Sequence, residues 1–156
     1  MKHYETRLAE VCARLNEQGA KYVIVGAIAM QLWGTTRSTL DIDVLIEATV
    51  PNARRVLAAL SKVGFGFARE SLAEDLAAKP VTIIGDSPRV DILTVAWSVH
   101  YPDAARDATV FSVEGVKVPA ASIEHLIASK RTGRLQDAAD IEVLEEIRRL
   151  RARGVK

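Results

Sequence analysis

The sequence predicts an α/β (α+β) fold in which a mixed β-sheet is flanked by helices and followed by a C-terminal helical segment. Short β-branched runs alternate with stretches of helix-forming residues in the first half of the chain. Further on, Gly-Asp-Ser-Pro at residues 85–88 and Glu-Gly at residues 114–115 separate apolar runs, as hairpin turns do. A length of 156 residues suits one compact domain with a single core.

Local patterns place the elements in order along the chain. Periodic apolar residues, glycine stops and a proline in a first turn predict helices over residues 4–18, 27–33, 51–63 and 70–78 and in the chain after Pro119. Alternating or β-branched runs predict strands over 22–25, 40–47 and 64–68, and hairpins that pair 81–84 with 90–95 and 110–113 with 116–118. We expect residues 119–156 to pack on a core formed by residues 1–118.

Composition excludes several classes of protein. The 21 basic and 20 acidic residues nearly balance, so a strongly basic nucleic-acid binder is excluded and any nucleic-acid contact must come from a local patch. A single cysteine, Cys12, excludes an internal disulfide and a cysteine-ligated zinc site and fits a reducing compartment. The sequence has no signal-peptide pattern and no apolar run long enough for a membrane span, so we expect a soluble, cytoplasmic protein.

Two aspartates, Asp41 and Asp43, stand inside the second predicted strand. Aspartate is disfavoured in strands, and side chains two positions apart share one face, so the pair predicts a site for a hard cation such as Mg²⁺. Asp91 has a similar apolar setting and completes the cluster if its strand adjoins the first. Three carboxylates can hold one or two Mg²⁺ ions for phosphoryl displacement, with Asp91 as the candidate to accept the proton of an attacking hydroxyl.

Other interpretations of these acids stay open. Asp41 and Asp43 can form an ion pair with Arg37 or face water on an edge strand. Asp91 can be a solvated carboxylate that stands next to Arg89 in a hairpin.

Two further segments are suited to phosphate. Gly26 and Ala27 lie between a strand and a helix, where backbone N–H groups and the helix dipole favour an anion, although the same arrangement is a common packing device. Lys130, Arg131 and Arg134 form a basic cluster that suits a triphosphate or a nucleic-acid backbone, or that offsets the dipole of a helix end.

Residues 25–43 resemble the nucleotidyltransferase superfamily, whose signature is a Gly-Gly or Gly-Ser turn that opens a helix, an Asp-x-Asp on the next strand and a later third carboxylate. The spacing is similar to that of a small bacterial branch that includes minimal nucleotidyltransferases and the toxins of type IV abortive-infection toxin–antitoxin pairs. The residues that carry this likeness are Gly34, Arg37, Thr39, Asp41 and Asp43. Residues 122–130, followed by Arg134, Asp137 and Asp140, resemble the helical end of that branch, and the likeness spans about residues 20 to 145.

The resemblance implies transfer of a nucleoside monophosphate from an NTP to a hydroxyl on RNA such as tRNA, on a protein or on a small molecule, with Mg²⁺ as cofactor. It gives catalytic and metal-binding roles to Asp41, Asp43 and Asp91, and nucleotide-binding roles to Gly26, Ala27, Arg37, Thr39, Lys130 and Arg134. Ala27 replaces the second glycine or serine of the signature, which keeps the backbone N–H but not a hydroxyl. A cognate antitoxin is an implied partner.

Two other functions remain under consideration. The chain can be a non-catalytic nucleotide-binding or regulatory module of the same fold. It can also be another Asp-x-Asp enzyme, such as a glycosyltransferase or an aspartyl phosphatase, although in the phosphatase the acidic pair normally follows the first strand.

Overall fold

The computed structural model of the chain has a six-stranded mixed sheet with helices packed against it, which confirms the predicted fold class. It describes residues 3–35, 39, 41–64, 66–69, 72–85 and 89–154, with the backbone alone described for His3, Tyr4, Phe67 and Arg69. The strands are β1 Tyr22–Val25, β2 Ile42–Ile46, β3 Val81–Ile84, β4 Val90–Leu93, β5 Thr109–Val113 and β6 Val116–Ala120. The helices are α1 His3–Glu17, α2 Gly26–Trp33, α3 Val50–Lys62, α4 Ala73–Ala78, α5 Tyr101–Arg106, α6 Ile123–Ser129 and α7 Leu135–Ala152, and a 3₁₀ turn covers Gly66–Arg69.

The strand order brings together the ends of three neighbouring strands, β1, β2 and β4, that carry the candidate site residues. The order across the sheet is β3-β4-β2-β1-β6-β5, with β2 antiparallel to β1 and parallel to β4. The last residue of β1, Val25, therefore lies opposite Asp43 of β2, and Asp43 lies opposite Asp91 of β4. The end of β1 and the beginnings of β2 and β4 consequently meet at one edge of the sheet.

One continuous hydrophobic core fixes this edge. In β2 the side chains of Ile42, Val44, Leu45 and Ile46 are fully buried. Helix α2 packs on β1, β2 and α6, and α6 packs in turn on α7. Helix α2 begins directly after β1 and packs on β2, so the beginning of this helix lies next to an acidic strand.

Asn52, in the first turn of α3, joins the beginning of β1 to the end of β2. Its side chain is buried, and its Nδ2 donates to the carbonyl oxygens of Lys21 at 2.9 Å and of Glu47 at 3.0 Å. Its Oδ1 accepts the Lys21 N–H at 2.7 Å. The side chain of Thr49 caps the same helix by accepting the Asn52 N–H at 3.3 Å. The pairing of β1 with β2, which places Asp43, thus depends in part on one buried amide.

Replacing Asn52 with alanine is expected to lower the free energy of unfolding by about 2–4 kcal/mol, because buried backbone groups lose their partners. Asn16→Ala is the matched control, since the exposed Asn16 makes two side-chain hydrogen bonds where Asn52 makes three: it donates to the Lys117 carbonyl at 2.9 Å and accepts from the Tyr22 hydroxyl at 2.8 Å. We expect the control to cost about 1 kcal/mol or less in urea unfolding. Equal losses in the two variants would contradict this role of Asn52.

Most predicted elements are confirmed, but four differ. Residues 66–69 form a 3₁₀ turn where a strand was predicted, because they pack on α3 rather than beside an edge strand of the sheet. Strand β6 continues through Pro119 to Ala120, because Ala120 pairs with Ile24 on one side and Thr109 on the other. Helix α5 was not predicted, as it is six residues long and buries only Ala104.

The fourth difference concerns Asp41. Strand β2 begins at Ile42, where pairing with β4 starts, so Asp41 precedes the strand and its side chain is exposed. The alternation of side chains along a strand therefore fixes the face on which Asp43 lies, but it does not apply to Asp41. Arg37, predicted to bind nucleotide, lies outside the described residues, as do Phe65 and Glu70.

Within the described residues, no helix has both the length and the apolar character needed to cross a bilayer.

Candidate active site

The turn between β1 and α2 lies directly against the carboxylate of Asp43. Gly26 has a φ of +72°, and a Cβ atom built on it would lie 2.0 Å from Asp43 Oδ2. Only glycine fits, because any side chain would both adopt an unfavourable backbone conformation and overlap the carboxylate. Val25 gives α2 no side-chain cap, so the first-turn N–H groups of this helix, including that of Ala27, have no capping side chain.

Two acids from neighbouring parallel strands form the centre of the site. Asp43 and Asp91 are register partners on β2 and β4, so their side chains emerge on the same face about one strand spacing apart. Both are largely buried, with the Asp91 side chain 14% exposed. Asp41 lies at the exposed entrance, and its N–H donates to Thr39 Oγ1 at 3.2 Å.

The site carries uncompensated negative charge. Burial, the charge of Asp91 and the charge of Asp41 raise the pKa of Asp43 to about 7. Lys130 and Arg89 act in the opposite direction and do not cancel these effects. A largely buried carboxylate whose ionisation is opposed in this way favours an additional cation.

Arg89 forms a two-point ion pair with Asp91. Its Nε donates to Asp91 Oδ1 at 2.7 Å and its Nη2 donates to Asp91 Oδ2 at 3.1 Å. The sequence left open that Asp91 is a solvated carboxylate next to Arg89, whereas the structure buries most of the Asp91 side chain and pairs it with Arg89. The Arg-x-Asp spacing could have indicated this pair, because side chains two positions apart in an extended chain lie on the same face.

Lys130, at the end of α6, is held by two buried aspartates of α7. Its Nζ lies 3.0 Å from Asp140 Oδ2 and 3.6 Å from Asp137 Oδ1. Although burial alone would raise it, the pKa of Asp137 lies below its ordinary value because Thr132 and Arg134 donate hydrogen bonds to it and Lys130 adds a positive charge. The charge of Lys130 also acts on Asp43, so these aspartates anchor a cation beside the acidic site.

Comparison with known proteins assigns the chain to a family. A family described as "Nucleotidyl transferase of unknown function (DUF2204)" matches residues 4–155. The chain belongs to this nucleotidyl transferase family. The resemblance to nucleotidyltransferases inferred from the sequence is thereby confirmed. No curated protein matches the chain.

In this member of the family, the predicted site residues that the structure describes include two groups. Gly26, Asp43 and Asp91 come together at one edge of the sheet, with Asp41 and Lys130 near enough to act on Asp43 electrostatically. Arg134 instead is exposed and donates from its Nε to Asp137 Oδ2 at 2.8 Å, so it belongs to the anchor of Lys130.

The acids do not form a ready-made metal cage. Among the residues that the structure describes, no three His, Cys, Asp or Glu side chains are grouped closely enough to hold a metal ion. Asp41 is exposed and Asp91 is paired with Arg89, which accounts for the open arrangement. The assignment of Mg²⁺ to Asp41, Asp43 and Asp91 stays a prediction.

Proposed function

We propose that this chain is a Mg²⁺-dependent nucleotidyltransferase that moves a nucleoside monophosphate from an NTP to a hydroxyl acceptor. One observation carries the proposal: the Asp43 carboxylate lies against the Gly26 turn and beside Asp91. This arrangement brings an acidic pair to the beginning of a helix, so metal ligands and an anion-binding backbone adjoin each other.

The residues present fit a magnesium ion. Carboxylate oxygens are the ligands that Mg²⁺ prefers, and burial beside two like charges leaves Asp43 in need of a cation. Asp43 and Asp91 would hold the ion, with Asp41 joining from the entrance. When bound, Mg²⁺ would neutralise phosphate charge and lower the pKa of the acceptor hydroxyl.

The chain's own groups would divide the remaining work. The backbone N–H groups at Gly26 and Ala27 and the beginning of α2 would hold the triphosphate, and Lys130 would offset its charge. The acceptor oxygen forms a bond to the α-phosphorus while the bond from that phosphorus to the β-phosphate oxygen breaks. Pyrophosphate leaves, and the hydroxyl proton passes to Asp91.

Label transfer from an α-labelled NTP tests the proposal. With Mg²⁺ and pools of tRNA, total RNA, protein and small hydroxyl compounds as acceptors, the wild type is expected to label at least one pool. Asp43→Asn should lower labelling on the order of 100-fold or more. Asp75→Asn, on the exposed part of α4, is the control and should label like the wild type. Equal labelling by Asp43→Asn would remove the assignment.

A second candidate is a nucleotide-binding or regulatory module without turnover. The ion pair between Arg89 and Asp91 favours it, because a permanently paired Asp91 accepts neither metal nor proton. Nucleotide binding measured by calorimetry, without label transfer or pyrophosphate release, would support this module over the enzyme. The sequence resemblance also implies a hydroxyl acceptor on RNA, on a protein or on a small molecule, and a cognate antitoxin as a partner. We keep both as proposals.

A further inference from the structure

Arg89 is fixed beside the acidic site through its backbone. The carbonyl oxygen of Arg89 accepts the N–H of Ile42 at 2.9 Å, and Ile42 separates Asp41 from Asp43. Both of these aspartates act electrostatically on the Arg89 guanidinium, in addition to its direct partner Asp91. The Arg89 guanidinium is therefore, with Lys130, one of the described cations that act on the acidic site.

The Arg89 guanidinium is well suited to dissociate from Asp91. The Arg89 side chain is 45% exposed, whereas the Asp91 side chain is 14% exposed. A long side chain at the entrance can change rotamer without disturbing the buried core, since its backbone is held separately. A triphosphate offers oxygen pairs with the spacing that a guanidinium binds at two points.

While the pair persists, Asp91 is a poor ligand. Each of its oxygens already accepts a charge-assisted hydrogen bond, and a divalent cation placed there would be repelled by the guanidinium. Arg89 and a metal ion therefore compete for the same carboxylate.

We propose that Arg89 moves from Asp91 to the triphosphate of bound NTP, so that Asp91 becomes open to metal and to the acceptor proton only in the nucleotide complex. This inference rests on the proposed function. It assigns to Arg89 a substrate-binding role that the sequence motif did not include. It also makes nucleotide and metal binding mutually reinforcing, because each removes an obstacle to the other.

Binding of Mn²⁺, followed by electron paramagnetic resonance, tests the exchange. Without nucleotide, Arg89→Gln is expected to bind Mn²⁺ about tenfold more tightly than the wild type, because one competing charge is lost. A non-hydrolysable NTP analogue should tighten Mn²⁺ binding in the wild type by more than in Arg89→Gln. The analogue itself should bind about tenfold more weakly to Arg89→Gln, which lacks the phosphate contact.

Control variants distinguish a failure of the Arg89 exchange from a failure of the proposed nucleotidyltransferase function. Arg106→Gln removes an exposed arginine that pairs with the exposed Asp103 on α5, and should behave like the wild type. Arg89→Lys keeps the charge but not the two-point bond and should fall between the wild type and Arg89→Gln, and circular dichroism checks that each variant folds. If Arg89→Gln and Arg89→Lys match the wild type while Asp43→Asn loses Mn²⁺, the exchange is wrong and the proposed function stands. If Asp43→Asn also binds Mn²⁺ normally, the metal site itself is wrong.

Discussion

Gly26→Ala is expected to lower the rate of nucleotidyl transfer about 100-fold and to lower the free energy of unfolding by about 3 kcal/mol or more. The left-handed backbone at Gly26 accounts for about 1–2 kcal/mol of this loss. The remainder comes from the new Cβ, which would lie 2.0 Å from Asp43 Oδ2 and must displace that carboxylate. Because Asp43 is the proposed metal ligand, its displacement should lower the rate of label transfer about 100-fold.

Gly19→Ala is the matched control for this substitution. Gly19 has a φ of +67°, close to that of Gly26, and an added Cβ there would meet no atom within 4 Å. Urea unfolding of the control should show the backbone cost alone, and its label transfer should equal that of the wild type. If the two variants lose the same stability and keep the same activity, the close approach of Asp43 to Gly26 has no functional meaning.

Asp43 is expected to make the metal-free protein less stable as the pH rises. Its pKa of about 7 in the folded chain lies above the ordinary value of 3.8, so folding favours the protonated form. The favourable contribution is complete below pH 3.8 and is lost as the pH rises to 7. In EDTA, the wild type should therefore lose on the order of 2 kcal/mol relative to Asp43→Asn between pH 5 and pH 8.

Urea unfolding at the two pH values measures this difference. Asp75→Asn changes an exposed carboxylate of α4 and should follow the wild type at both pH values. Parallel pH profiles for the wild type and Asp43→Asn would show that Asp43 ionises freely in the folded chain. Asp43 would then have no raised pKa that a bound cation could offset.

The sequence predicted the centre of the site because two strong patterns agreed there. Apolar neighbours on both sides of Asp43 and Asp91 marked buried strands, and alternation put Ile42 and Val44 in the core, where the structure has them. The glycine between a β-branched run and a helix marked the turn at Gly26. What alternation could not supply was the strand order, which makes Asp43 and Asp91 neighbours.

The remaining features depend on contacts that sequence patterns do not specify. Strand β2 begins where Ile42 pairs with Val90. The alternating pattern over residues 40–47 does not show where that pairing starts, so it placed Asp41 inside the strand. The position of Lys130 depends on ion pairs with Asp137 and Asp140 of another helix. The family resemblance included these two aspartates but did not indicate that they pair with Lys130. Asp91 pairs with Arg89 rather than with solvent because its strand lies inside the sheet, where the Asp91 side chain is only 14% exposed.

A crystal structure of the chain with Mg²⁺ and a non-hydrolysable NTP analogue tests the central claim most directly. We expect a metal ion bound by Asp43 and Asp91, the α-phosphate beside it, and the triphosphate on the Gly26 turn with Arg89 contacting a phosphate. A nucleotide bound away from this edge, with Arg89 still paired to Asp91 and no metal at Asp43, would contradict it.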